Sequence, residues 1–143
     1  MKVLLDSSVL VGALLAHHPW HERALPWLRR GRNREFQWYL ASHSLLETYA
    51  ILTRYPVRPR VSPDAALLLI EDLLPFADIL SLSPAEHLEV LASVSSLGLS
   101  GGVVYDAHIL RVARGAEVDR LVTFNEKDFR RLWPDAGERI LSP

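Results

Sequence analysis

The chain has 143 residues, 49% of them hydrophobic and 23% charged, with a formal net charge of −1 and no cysteine. That length and apolar content suit one compact domain over 1–143 and exclude a disordered or fibrous chain, and the near-neutral charge excludes a global field that would draw in polyanions. Without cysteine there is neither a disulfide framework nor a thiolate metal site, so any metal must be held by oxygen or imidazole, in keeping with the reducing cytoplasm.

The opening "MKVLLDSSVLVGALL" sets a carboxylate, Asp6, between two apolar runs. A secretory leader would not interrupt its apolar stretch with an acid, so the segment reads as structure: a buried strand over 2–5, then a helix beginning at Ser7 or Ser8. "HPWHERALPWLRRG" (18–31) predicts a helix with Trp20, Ala24, Trp27 and Leu28 on one face and Gly31 as its stop. "FQWYLAS" (36–42) reads as a strand, and 44–56 as a helix stopped by Pro56. Ser62 with Pro63 starts a helix over 61–75, and 77–80 is a short strand. Ser83, Pro84 and Glu86 open another helix as a capping box that Gly98 closes. A helix around Asp106, a buried strand over 119–124 and a last strand over 138–141 complete the chain.

Strands alternate with helices throughout. The fold class expected is therefore α/β, a three-layer α/β/α sandwich with a mainly parallel central sheet whose ligand crevice lies beyond the carboxyl ends of the strands. No run approaches the roughly 20 apolar residues that span a bilayer, so no membrane partner is expected.

Three acids stand where a strand hands over to a helix or a helix begins: Asp6, Glu47 in "SLLETYA" and Asp106 in "VVYDAHI". Each has a purely structural explanation, because acids cap helix N-termini and Ser44 with Glu47 has capping-box spacing. Taken jointly they point to a cation site, since acids gathered in one crevice repel each other unless a cation offsets them, and hard oxygen donors suit Mg²⁺ or Mn²⁺. In "VTFNEKDF", Thr123 and Asn125 face one side of an extended chain, towards the crevice mouth, and Asp128 falls in the next helical turn.

Other chemistries fit less well. His17, His18 and His21 cluster without the acid of a zinc-protease pattern, no serine lies in a G-x-S-x-G turn, and "GLSGG" lacks the lysine of a phosphate loop. The arginine clusters at 29–34 and 54–60 read either as solvated surface or as a local phosphate-binding face.

With these blocks in this order and at these intervals, the whole chain resembles the PIN-domain ribonucleases, most closely the VapC-like toxins of bacterial and archaeal toxin–antitoxin pairs. The resemblance implies that Asp6, Glu47 and Asp106 hold Mg²⁺ or Mn²⁺ for cleavage of RNA, with Asn125 at a fourth position that is aspartate in many members. It implies that Ser8 and Thr123 orient those ligands by hydrogen bonding. It further implies a cytoplasmic homodimer whose partner is a cognate antitoxin, bound across an apolar helix surface such as Trp20, Trp27 and Leu28. The arginine clusters would position the RNA backbone, and Trp38 or Tyr55 would stack on unpaired bases. Two competing readings share the fold: a PIN-like module that binds RNA or protein without cutting, and a nuclease for structured DNA.

Overall fold

A computed structural model describes residues 1–143. Five strands, β1 (Lys2–Leu5), β2 (Gln37–Ala41), β3 (Ala77–Leu80), β4 (Arg120–Val122) and β5 (Ile140–Leu141), form one wholly parallel sheet in the order β3-β2-β1-β4-β5. Seven helices connect them: α1 (Ser7–Leu14), α2 (His21–Arg32), α3 (Ser42–Arg54), α4 (Pro63–Glu71), α5 (Pro84–Ser96), α6 (Val103–Gly115) and α7 (Glu126–Leu132), with a 3-10 turn over Pro134–Arg139. No helix is long and apolar enough to cross a membrane.

The strands are short apolar runs because both faces of the sheet are covered. Val3, Leu5, Trp38, Leu40 and Val122 point to one side and pack on Val9, Leu10 and Ala13 of α1 and Ala24 and Leu28 of α2. The alternate residues Leu4, Tyr39, Ala41 and Leu121 point to the other and meet Ile109, Val112 and Ala113 of α6 and Phe129 of α7. This period of two, read off neighbouring strands, builds the three layers expected. Trp38 belongs to this core: it is 1% exposed, so it cannot stack on a base. Leu28 is also buried and Trp27 half-buried, so of the proposed apolar partner surface only Trp20 is exposed.

Helix starts follow the caps. Ser62 accepts the N–H of Ala65 at 3.1 Å, and both halves of the Ser83–Glu86 capping box form, at 2.8 and 3.2 Å. Beyond α5, Gly98 takes φ +66°, a conformation in which a Cβ would be strained. Several boundaries differ from expectation: the helix expected over 61–75 ends at Glu71, the strand expected over 119–124 is Arg120–Val122, and the strand expected over 138–141 is only Ile140–Leu141. Helix α3 starts at Ser42 with Ala41 as its cap, so Ser44 lies buried inside the helix, no box forms with Glu47, and that acid is free for another partner.

Gly31 does not stop α2; the helix runs on to Arg32. Its smallness has another cause, since a Cβ there would lie 2.7 Å from Trp38 Cε3. Trp38 is walled in and cannot yield. Gly31→Ala is expected to destabilise the fold by about 1–3 kcal/mol through overpacking, outweighing its helix-propensity gain of up to about 1 kcal/mol. Urea denaturation checks this, and an unchanged midpoint would refute the packing argument.

Candidate active site

The sheet order changes direction at β1. The chain proceeds from β1 outwards to β2 and β3, then returns to the opposite edge with β4 and β5, and in such a sheet the crevice opens beyond the strand ends at that switch. Leu5 and Val122 are register partners, and the Asp6 N–H continues the ladder to Val122 O at 3.0 Å. Asp6 and Thr123 therefore leave adjacent strand ends side by side, although 117 residues separate them in the chain.

Asp6 is 3% exposed and caps α1. Its Oδ1 accepts the Ser7 N–H at 2.8 Å, and its Oδ2 accepts the hydroxyls of Ser8 at 2.7 Å and Thr123 at 2.8 Å. The Ser7 hydroxyl has one proton and two acceptors within reach, Glu47 Oε2 at 2.6 Å and Asp6 Oδ1 at 3.2 Å. The shorter contact takes it. On the far side, the Asn125 N–H donates to the Thr123 hydroxyl at 2.9 Å and its side-chain amide to Asp106 Oδ2 at 3.0 Å. One line of hydrogen-bonding residues thus joins Glu47, Ser7, Asp6, Thr123, Asn125 and Asp106.

The three acids singled out in the sequence are brought to one place, with Asn125, Ser8 and Thr123 around them. Two residues carry more than the sequence reading assigned to them. Ser7, rather than Ser8, bridges two of the acids. Asp128, in the first turn of α7, acts on Asp106 as well. Glu126, its neighbour in that turn, is instead engaged by Arg130 at 2.6 Å.

None of Asp6, Glu47, Asp106 or Asp128 has an arginine or lysine in ion-pair contact. The cost falls on Asp106. Burial, then the negative charges of Asp6, Asp128 and Glu47, push its carboxyl from 3.8 up to about 7, against the opposing pull of the Asn125 amide. At neutral pH it is therefore divided between its two protonation states.

No three acid or imidazole side chains converge as a finished coordination shell. The donor set nevertheless fits a hard divalent cation in two respects. Several carboxylates share a crevice without a counter-charge, which a cation would supply. And of the roughly four lone-pair positions on the Asp6 carboxylate, three are taken by the Ser7 N–H, Ser8 and Thr123, while the fourth is contested only by the longer Ser7 contact. Asp6 is held in place with one position to spare.

Around the site the other sequence candidates resolve differently. His21 Nδ1 pairs with the Gly12 carbonyl at 3.0 Å and His18 Nδ1 accepts the Trp20 N–H at 3.1 Å, so these imidazoles are spent on backbone. In the 29–34 cluster Arg30 pairs with Glu35, Arg32 with Asp72, and Arg34 donates to the Pro75 carbonyl. Arg54, Arg58 and Arg60 are exposed and make no ion pair.

Comparison with known proteins adds an independent line. Residues 3–132 match the family model described as PIN domain. The chain is 31% identical over 111 residues to Ribonuclease VapC40 of Mycobacterium tuberculosis, covering 78% of each. Its fold is similar to that of VapC20 of Mycobacterium tuberculosis, described as a Sarcin-Ricin loop cleaving toxin, with a TM-score of 0.71 at 15% identity over 88% of this chain and 92% of that one. It is also similar to VapBC2 from Rickettsia felis, solved bound to a DNA fragment from their promoter, with a TM-score of 0.67 at 18% identity over 100% and 99%.

Proposed function

The chain belongs to the PIN-domain family, and from that footing we propose that it is a metal-dependent endoribonuclease, the toxin of a toxin–antitoxin pair, cutting RNA in the crevice at the β1/β4 strand ends. The observation that carries the reading is the gathering of Asp6, Glu47 and Asp106 without a basic partner, seen in the raised Asp106 carboxyl.

In this reading Asp6, Asp106 and Glu47 hold Mg²⁺ or Mn²⁺. When bound, the cation lowers the pKa of the attacking water and offsets the charge that builds on the phosphate during in-line displacement. Ser8 and Thr123 fix the Asp6 carboxylate, Ser7 ties Glu47 to it, and the Asn125 amide orients Asp106. Asn125 brings no charge of its own, and Asp128 is the nearest source of a further negative one. No protein nucleophile is needed, and the unpaired Arg54, Arg58 and Arg60 are available for the RNA backbone.

The test is incubation of the chain with single-stranded RNA and DNA in Mg²⁺, Mn²⁺ or EDTA, beside Asp6→Asn. Cleavage in EDTA, or equal cleavage by the variant, would sink the reading; cutting of DNA alone would favour the structured-DNA alternative. A non-cutting RNA- or protein-binding module is the reading favoured by the unfinished ligand shell, and it predicts binding without product in every arm.

The reading places the protein's work in the cytoplasm with a cognate antitoxin, which VapBC2 supports as a partner. The expected homodimer draws support from an apolar cavity of about 570 Å³ lined by Leu45, Leu46, Val90, Leu91 and Tyr105 from α3, α5 and α6. Leu46 and Leu91 there are 71% and 53% exposed. Leu46→Glu with Leu91→Glu is expected to halve the mass seen by light scattering, because two charges from each subunit would have to be desolvated in the interface. An unchanged dimer would rule out that surface.

A further inference from the structure

Four aromatic rings run in file beside the crevice: Phe124 and Tyr55 pack at the margins of the core, while Trp20 belongs to none of its clusters. Phe124 lies between Thr123 and Asn125, with its N–H on the Ser8 hydroxyl at 3.1 Å. Trp20 stacks on it, ring centroids 4.3 Å apart and planes 20° from parallel. His18 tilts against Trp20 at 5.4 Å, and Tyr55 against His18 at 5.2 Å. Arg23 covers Phe124 at 5.1 Å.

Two observations set this file apart from ordinary packing. Trp20 has the largest apolar area of any residue type to gain by burial, yet it stays 39% exposed while being held by stacking on a ring that is itself anchored. The anchor matters because of where it stands. Ser8, which receives the Phe124 N–H, donates to Asp6, and the residue after Phe124 holds Asp106, so the exposed indole is fixed relative to both acids. At its other end the file reaches Tyr55, in the segment that carries the unpaired Arg54, Arg58 and Arg60.

We propose that Trp20, backed by Phe124, is the stacking platform for one unpaired base of the RNA next to the phosphate that is cut, the strand then passing His18 and Tyr55 towards the arginines of 54–60. This rests on the RNA-cleavage reading for its substrate. A base offers a π-face to an aromatic only when it is unpaired and splayed, so the platform selects single-stranded segments, and it tolerates different bases because each has such a face. The guanidinium groups beyond Tyr55 meet the phosphates of the outgoing strand.

The test measures binding apart from cutting. On an Asp6→Asn background in Mg²⁺, a short fluorescein-labelled single-stranded RNA is titrated against Trp20, Trp20→Leu and Trp20→Phe, with thermal melts confirming that all three fold. Leucine is expected to weaken binding by about tenfold, and phenylalanine by no more than about threefold, because stacking survives in the second. RNAs carrying one abasic position in turn are expected to reproduce the leucine loss at a single position, and to lose nothing further there with Trp20→Leu. Equal affinity of the three chains, a loss spread evenly over all positions, or no RNA binding would overturn the proposal. The chain with Asp6 intact is then given RNA and Mn²⁺. If Trp20→Leu leaves both rate and cut position unchanged, the platform falls and the nuclease reading stands; if the abasic signature appears but nothing is cut, the platform stands and the nuclease reading falls.

Discussion

Asp6→Asn is expected to lower cation-supported RNA cleavage by at least about 10²–10³-fold while leaving the protein folded. The substitution keeps the shape of the side chain. Its amide oxygen can still accept the Ser7 N–H that the cap requires. The amide nitrogen then faces the Ser8 and Thr123 hydroxyls, which can turn to accept instead of donate, though both already accept a backbone N–H, from Phe124 and Asn125. That crowding costs about 1 kcal/mol, a hydrogen bond's worth and not a collapse. What is lost is the charge at the one position that touches both wings of the site, Glu47 through Ser7 and Asp106 through Thr123 and Asn125. Product formation against time, with circular dichroism beside it, separates the two effects. Retained cleavage would show that Asp6 is a cap and nothing more.

Asp106→Asn is expected to make the cation-free protein more stable at pH 8, not less. The Asp106 carboxyl is raised from 3.8 to about 7, so between those values the native chain binds a proton that the unfolded chain does not. Stability therefore falls as pH rises through that window, and above about 7 the full cost of burying the charged carboxylate, together with the repulsion from Asp6, Asp128 and Glu47, is present. Asparagine removes it. Because the side chain is partly open to solvent, screening reduces the gain to about 1–2 kcal/mol, a rise in Tm on the order of 5 °C. The wild-type protein should melt higher at pH 6 than at pH 8 without added cation, and the variant should lose most of that difference. Mn²⁺ should stabilise the wild type more at pH 8 than at pH 6, since it must displace the proton, and should stabilise the variant little. A variant less stable at pH 8, or one that keeps the whole Mn²⁺ effect, would contradict this account.

Periodicity and caps made most of the architecture legible in advance. Strand β1, the Ser62 and Ser83 starts and the position of Asp6 at a strand end all follow from local rules that the tertiary structure does not override. The misreadings occur where a distant residue decides. Gly31 looks like a helix stop until Trp38 is placed against it, and Trp38 looks available until both faces of the sheet are seen to be covered. Glu47 is legible as an acid near a helix start, but Ala41 as the true cap, which frees it, follows from where β2 ends. That Ser7 and not Ser8 reaches Glu47 depends on how α3 lies beside α1, and adjacent identical residues carry no such information. Asp128 joins the crevice because α7 begins directly beyond Asn125.

The line from Glu47 to Asp106 draws its members from the starts of α1 and α6, from the second turn of α3 and from the turn after β4, and every link crosses between them or anchors one to another. A chain still emerging during synthesis holds Asp6 and Glu47 long before Thr123 and Asn125 exist, so it lacks the two residues that tie Asp6 to Asp106. In the ribonuclease reading the constellation is therefore whole only once β4 has joined the sheet beside β1 and set Thr123 and Asn125 between Asp6 and Asp106.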